Sequence, residues 1–320
     1  MLRHKQRNMM VYFRCERFRM SLLVVGTVAF DSIETPHGSV ERILGGSAMF
    51  SSMAASFFTK PRLVGVVGED FPNFHRESMK ERGIDLAGLQ TEKGGKTFYW
   101  KGRYHENMNS RETMEVHLNV LATFNPELPA SFRDSTHVFL ANSSPAVQMK
   151  VLDQVHKPQL VLADTMDFWI TSSHDDLMKL LPRIDGLLLN DSEASLLTGE
   201  NHMLKAGRKI QDMGPKFVIV KRGEHGAMLI SGDGVFVIPA WPTEYVVDPT
   251  GAGDSFAGGV LGHLIAHPEG PRHGRLRRAM VYGTVIASLC VEDFGPNRLR
   301  KTDRNEIDDR VEKYRAMLDF

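Results

Sequence analysis

The 320-residue chain is poor in cysteine: it has two, Cys15 and Cys290, far apart and without metal-ligand spacing. That scarcity excludes a disulfide scaffold and a zinc ribbon, and it makes a reducing cytoplasm the expected setting. Net charge is missing too, since 39 lysines and arginines face 39 aspartates and glutamates. Nucleic-acid backbones are held by a basic surplus, so nucleic acid is not an expected partner. No apolar run reaches the ~18 residues that read as a membrane span, so no membrane association is expected. Internal repeats and low-complexity tracts are absent as well. What is there, 42% apolar and 24% charged residues, suffices for a large core under an ordinary surface.

Charge is nevertheless uneven. Residues 1–20 carry Arg3, Lys5, Arg7, Arg14, Arg17 and Arg19 against Glu16 alone. The segment lacks the apolar centre of a signal peptide, and it has no serine, which weighs against a transit peptide. It reads as a disordered leader, or as an early start with Met20 the working one, and it is assigned no function.

From Ser21 onward, short apolar runs alternate with helical patterns. Ser21–Val28, Arg62–Val67, His137–Leu140, Leu160–Ala163, Gly186–Leu189 and Phe217–Val220 read as buried strands. Glu193–Leu197 and Leu204–Met213 are among the helical patterns between them. The alternation predicts an α/β fold: a Rossmann-like, mostly parallel sheet with helices on both faces. Thr97–Tyr104 departs from this pattern. Phe98, Trp100 and Tyr104 share one face at period two, while Thr97, Lys101 and Arg103 share the other. With Arg111–His117 after the turn-prone Asn107-Met108-Asn109-Ser110, and with residues of about 32–44, it is expected to form a small β lid or dimerisation sheet over about 96–118. A plain edge hairpin is the competing reading.

The sharpest local signal is Asp248-Pro249-Thr250-Gly251-Ala252-Gly253-Asp254-Ser255-Phe256-Ala257-Gly258-Gly259. Pro249 stiffens the approach, and Gly251 and Gly253 allow a tight turn with uncovered amides. The run that follows is an apolar helix, so amides and helix dipole converge on an anion site. Asp254 in the first turn is either a capping carboxylate or a base beside a phosphate loop. Two other glycine motifs fail. GAGDSF has Phe256 where the dinucleotide fingerprint needs its third glycine, and Gly95-Lys96-Thr97 lacks the first glycine of a P-loop, which would fall at Gln90.

GAGDSFAGG after Asp248-Pro249-Thr250 closely resembles the C-terminal signature of the PfkB, or ribokinase-like, carbohydrate kinases. The resemblance runs over nearly all of the chain after Met20. It includes Gly45-Gly46 before a small-residue helix, Val64–Asp70, Asn190-Asp191-Ser192-Glu193 as an N-x-x-E motif, and Val218–Gly226. It implies a ribokinase-like fold over residues 21–320 and an ATP- and Mg²⁺-dependent kinase that phosphorylates a hydroxyl. Residue by residue, Asp254 matches the catalytic base. The backbone of Gly251, Ala252 and Gly253 matches the anion hole. Asn190 and Glu193 match positions that organise Mg²⁺ through water. Lys221, Gly223 and Gly226 fall where the family lines the nucleotide. Thr284, Ala287 and Ser288, on the helix predicted over Ala279–Val291, resemble the adenine-side wall. Asp248 and Thr250 resemble part of a monovalent-cation loop.

On the acceptor side, Asp31 follows the first strand, where the family grips substrate hydroxyls, and Gly46 and Ser47 match the backbone approach to the substrate. The chain departs from its sugar-kinase relatives at Phe50, where many have asparagine. It departs again at Ser143, where ribokinases have glutamate, and at Asp164-Thr165-Met166, where fructokinases read D-P-N. A sugar is the first expectation. A nucleoside is the runner-up, with Phe50 and either Trp100 or Phe98 stacking on its base, and Phe50 as plain core filling is the competing reading. A catalytically silent sensing protein on the same fold is the third reading. His263 and His267, four apart on a helix, are expected at the surface rather than on a metal.

Overall fold

In the computed structural model, which describes residues 20–319, each of the six short apolar runs is a strand of one sheet. The chain runs β1 Leu22–Val25, β2 Ala29–Thr35, β3 Gly38–Gly45, β4 Arg62–Gly68, β5 Asp85–Glu92, β6 Phe98–Tyr104, β7 Arg111–His117, β8 His137–Leu140, β9 Leu160–Asp164, β10 Gly186–Asn190, β11 Phe217–Lys221, β12 Ala227–Ser231 and β13 Gly234–Ile238. The large sheet has the order β13-β12-β11-β10-β9-β8-β1-β4-β5. It is parallel from β5 to β11 and antiparallel at β11-β12-β13.

Why these runs are continuous rather than alternating is visible in the packing. Leu22, Val24, Leu188 and Ile219 point into one core, and Leu23, Val25, Leu187, Leu189, Val218 and Val220 into the other. A strand covered on both faces needs apolar residues at every position. The first core is closed by the helices Ser47–Ala55, Ala252–Ala266, Arg272–Cys290 and Arg304–Leu318, the second by Pro145–Leu152, His174–Leu180, Asp191–Thr198 and Met203–Asp212. The antiparallel β12-β13 edge, turning at Gly232-Asp233, is an addition to the predicted sheet. Among the described residues, no helix is long and apolar enough to cross a membrane.

The small sheet has the order β3-β2-β6-β7. Residues 32–44 supply parts of two of its strands, β2 and β3, turning at Pro36-His37. Its period-two pattern follows from its two different faces. On one, Glu34 pairs with Lys101 at 2.9 Å and with Arg103 at 2.8 Å. On the other, Asp31 lies beside Trp100 and Ile33 beside Gly102. Tyr104, two positions beyond Gly102, belongs to this second face, which meets the large sheet. The basic leader, residues 1–20, lies outside the described residues except for Met20.

Candidate active site

The carboxyl ends of the parallel strands form one rim, where ligands of open α/β sheets bind. In spatial order this rim carries Lys221 at the end of β11, Asn190 at β10, Asp164 at β9, Asn142 and Ser143 beyond β8, and Thr27 beyond β1. The turn 248–254 rises against it and the small sheet faces it.

The turn is held from below. Asp248 is fully buried, with Oδ1 accepting from the Thr250 amide at 2.8 Å and Oδ2 from the Gly295 amide at 2.9 Å. Both carboxylate oxygens are thus used to lock backbone, which gives Asp248 a structural role whether or not a monovalent cation binds nearby. Gly251 has φ +78°, and a Cβ there would lie 2.5 Å from three atoms of the Phe50 ring. Only glycine accepts both the backbone and the contact. Phe50 is therefore a buried floor under the turn, 1% exposed, and not a platform open to a substrate base. The helix Ala252–Ala266 begins at once, so its positive end points at the cleft. The Ala252 amide turns back to Pro249 O at 3.2 Å, whereas those of Gly251 and Gly253 have no protein acceptor among the described residues.

Asp254 keeps a window to solvent but is ringed by protein. Burial pushes its pKa up to about 7; the Asp164 carboxylate adds to that, while Lys221 and Arg111 oppose it. A carboxyl poised near neutrality is suited to accepting a proton. Lys221 forms a buried ion pair with Asp164, Nζ to Oδ2 2.6 Å, with side-chain exposures of 18% and 4%. The lysine comes from β11 and the aspartate from β9, so the pair spans the end of β10. The same ammonium lies 3.4 Å from where a Cβ on Gly253 would stand, which puts a fixed positive charge against the anion turn.

Asn190 caps the helix Asp191–Thr198. Its Oδ1 accepts from the Glu193 amide at 2.7 Å, and Glu193 Oε2 accepts from the Asn190 amide at 2.7 Å, a reciprocal capping box. Burial pushes the Glu193 pKa up to about 7, against the pull of Lys221. Glu193 Oε1 has no protein partner among the described residues. No group of three His, Cys, Asp or Glu side chains is arranged to hold a metal among those residues. A buried carboxylate with one free oxygen fits a hard, hydrated divalent cation whose other ligands are water and phosphate.

Asp31 is 5% exposed, and burial, then Asp248 and Asp254, push its pKa up to about 8, opposed by a hydrogen bond from the Gly46 amide. A Cβ on Gly45 would come within 1.9 Å of Asp31 Oδ2, so this glycine makes room for the carboxyl. The Ser47 side chain is taken up by the scaffold. Its Oγ donates to Asn142 O at 3.0 Å and accepts from the Thr27 amide at 3.1 Å, a clasp that ties β1 to β8.

The other expected residues lie on the turn after β11 and on a late helix. Gly223 and Gly226 shape the turn after β11, with φ +52° and +83°. Gly226 packs on the Ile238 carbonyl, and the lid's Asn109 donates to Glu224 Oε1 at 2.9 Å beside Gly223. Thr284, Ala287 and Ser288 lie along the helix Arg272–Cys290. The Ser288 hydroxyl is engaged, donating to Val285 O at 2.7 Å and accepting from Arg310 at 3.1 Å. His263 corrects the expectation of a surface histidine. It is buried, stacked between His267 at 4.2 Å and Tyr282 at 4.3 Å, and burial pushes its pKa down to about 3. Its helix is apolar on nearly every face because it lies between the helices Ser47–Ala55 and Arg272–Cys290. Residues that the sequence did not single out for the site are Asp164 as the partner of Lys221, Tyr104, whose OH meets Thr250 Oγ1 at 3.1 Å, and Arg111.

Comparison with known proteins fits this geometry. A family model described as pfkB family carbohydrate kinase matches residues 20–303. A cytidine kinase of Thermococcus kodakarensis is 30% identical over 252 residues, covering 76% of this chain and 87% of that protein. A Burkholderia thailandensis nucleoside kinase in complex with inosine superposes with a TM-score of 0.75 at 21% identity, over 92% of this chain and 97% of that one. A Cryptococcus neoformans ribokinase in complex with ADP gives a TM-score of 0.75 at 21% identity, over 91% and 99%.

Proposed function

This chain belongs to the pfkB family of carbohydrate kinases, phosphotransferases that act on a hydroxyl of a sugar or nucleoside, and we propose that it transfers the γ-phosphoryl group of ATP to the primary hydroxyl of a nucleoside. The observation that carries the reaction is the facing of Asp254 and Asp31 across one cleft, close enough that the Asp254 carboxyl helps to raise the pKa of Asp31, with the Lys221 ammonium on the anion turn. Once ionised, Asp31 offers two acceptor oxygens, which suit a vicinal diol. Asp254 takes the proton of the acceptor hydroxyl as that oxygen bonds to the γ-phosphorus. The bond from phosphorus to the β–γ bridging oxygen breaks, and ADP leaves with the electron pair.

The free amides of Gly251 and Gly253, the helix dipole and Lys221 oppose the charge that develops on the phosphoryl oxygens. Glu193 and Asn190 would hold Mg²⁺ through water, and bound Mg²⁺ supplies neutralising charge on the donor phosphates. The small sheet covers the cleft and keeps water from the phosphoryl group. Its edge strand β7, exposed throughout and carrying the exposed Met114 and Val116, is available to pair two copies of the chain.

A nucleoside is favoured over a free sugar by the extended match to a cytidine kinase and by the indole of Trp100. Trp100 is the register neighbour of Asp31, and its indole lies over Gly102 on the cleft-facing side of β6, with Nε1 donating to Thr113 Oγ1 at 3.2 Å, where a base carried by the gripped ribose can stack. Incubating the protein with ATP, Mg²⁺ and a panel of nucleosides and free sugars tests this. Turnover of one or more nucleosides at a kcat/KM at least tenfold above any sugar is expected. A preference for a free pentose or hexose contradicts the nucleoside reading, and no turnover with any acceptor contradicts the kinase reading as a whole.

A further inference from the structure

We infer that Arg111, the first residue of the edge strand β7, reaches over the cleft and hydrogen-bonds the phosphoryl group in transfer, so that the small sheet supplies a charge to the reaction as well as a cover. The register places Arg111 opposite Tyr104, so both side chains leave the same face of the small sheet. Tyr104 is 6% exposed and its OH lies 3.1 Å from Thr250 Oγ1, one residue before the anion turn. Arg111 therefore starts beside the turn. Its charge is felt there, opposing the burial that raises the pKa of both Asp254 and Tyr104. The neighbouring cations of the small sheet are neutralised on its opposite face, Lys101 and Arg103 by Glu34. Arg111 is exposed and has no salt-bridge or hydrogen-bond partner among the described residues. A planar fork of five donors is thus left unpaired at the mouth of a phosphate-binding cleft, where it matches phosphoryl oxygens.

The hairpin that carries it is pinned on both sides. Asn109 at its tip bonds Glu224 in the turn after β11, and Tyr104, level with Arg111 across the hairpin, bonds Thr250 beside the anion turn. Arg111 makes and breaks no covalent bond. It donates to oxygens of the phosphoryl group while that group passes from the β–γ bridging oxygen to the acceptor oxygen, whose proton goes to Asp254. The charged groups that face Asp254 are Asp31 from β2, Asp164 from β9, Lys221 from β11 and Arg111 from β7.

The inference rests on Asp254 as base, so D254N is measured beside R111A and R111K. R111A is expected to lower kcat by about 100-fold or more, with the acceptor KM changed by less than about threefold. R111K, which keeps the strand and the charge but loses the fork, is expected to recover only part of that loss. A second readout needs no ligand. In a carbon-13 NMR titration of the aspartate carboxyls of the apo protein, Asp254 should titrate at higher pH in R111A than in the parent and close to the parent in R111K. A kcat within about threefold of the parent in both Arg111 variants, or an Asp254 midpoint unmoved in R111A, overturns the inference. Full activity in D254N would instead sink the base assignment, whatever the Arg111 variants do.

Discussion

Replacing Lys221 by methionine removes one half of a buried ion pair and leaves the other half in place. At 2.6 Å and an effective dielectric of about 20, the direct attraction is about 6 kcal/mol before desolvation is counted. Removing one partner of such a pair typically costs about 3–5 kcal/mol, because the remaining charge stays buried and unpaired. Asp164 has an escape, since burial already pushes its pKa upward and without the lysine it can take up a proton in the folded state. Its folded pKa would then stand far above its unfolded value, so the loss is full at pH 8 and shrinks as pH falls towards the unfolded pKa near 4. We expect K221M to lose about 3 kcal/mol at pH 8, roughly 6 °C in melting midpoint, and clearly less at pH 5.5. The double variant K221M/D164N carries no stranded charge and should melt within a few degrees of the parent. Its kcat should nevertheless stay about 100-fold or more below the parent, because the ammonium is missing from the anion turn. Thermal melts at the two pH values, with kcat for all three proteins, decide the matter. A K221M that melts like the parent at pH 8, or a double variant that recovers turnover, would refute this reasoning.

Because Asp254 acts as carboxylate and titrates at about 7, kcat/KM should fall tenfold per pH unit on the acid side of roughly 7, and a pH–rate profile flat from 8 to 5 would exclude it as the base. Gly251→Ala forces a Cβ to within 2.5 Å of the Phe50 ring at φ +78°. We expect a loss of about 2–4 kcal/mol from backbone strain and overpacking, read by denaturant titration, together with a fall in kcat of about 100-fold as the amides move. Gly45→Ala drives a Cβ towards Asp31 Oδ2, 1.9 Å away. It should raise the acceptor KM by about tenfold or more while leaving ADP affinity, measured by calorimetry, within about twofold.

How much of this was legible in the sequence depended on whether the signal was local. Strands such as Leu187–Leu189 and Val218–Val220 announced themselves because burial on two faces requires unbroken apolar runs. The turn 248–254 was legible because its chemistry and its glycines are consecutive. The bond between Asp164 and Lys221 was not, since 57 residues separate the two and only the strand order places their ends astride β10. Tyr104 and Arg111 showed only as members of an alternating pattern. That pattern does not say which face of a small sheet meets the large one. Phe50 was open to two readings, and the ring proved to be packed under Gly251. His263 was misjudged because a helix enclosed between two others has no polar face to set an exposed histidine apart from a buried one.

The central claim is that the carboxylate of Asp254 removes the acceptor proton while the turn before it holds the migrating phosphoryl group. The most direct measurement is a single-turnover assay of D254N with ATP, Mg²⁺ and the best acceptor of the panel, paired with calorimetric titration of ADP. The asparagine keeps the shape of the side chain and removes only its basicity. The account predicts phosphorylated product formed at least about 1,000-fold more slowly than by the parent, with ADP affinity within about threefold. Product formed at a rate near the parent's would contradict it.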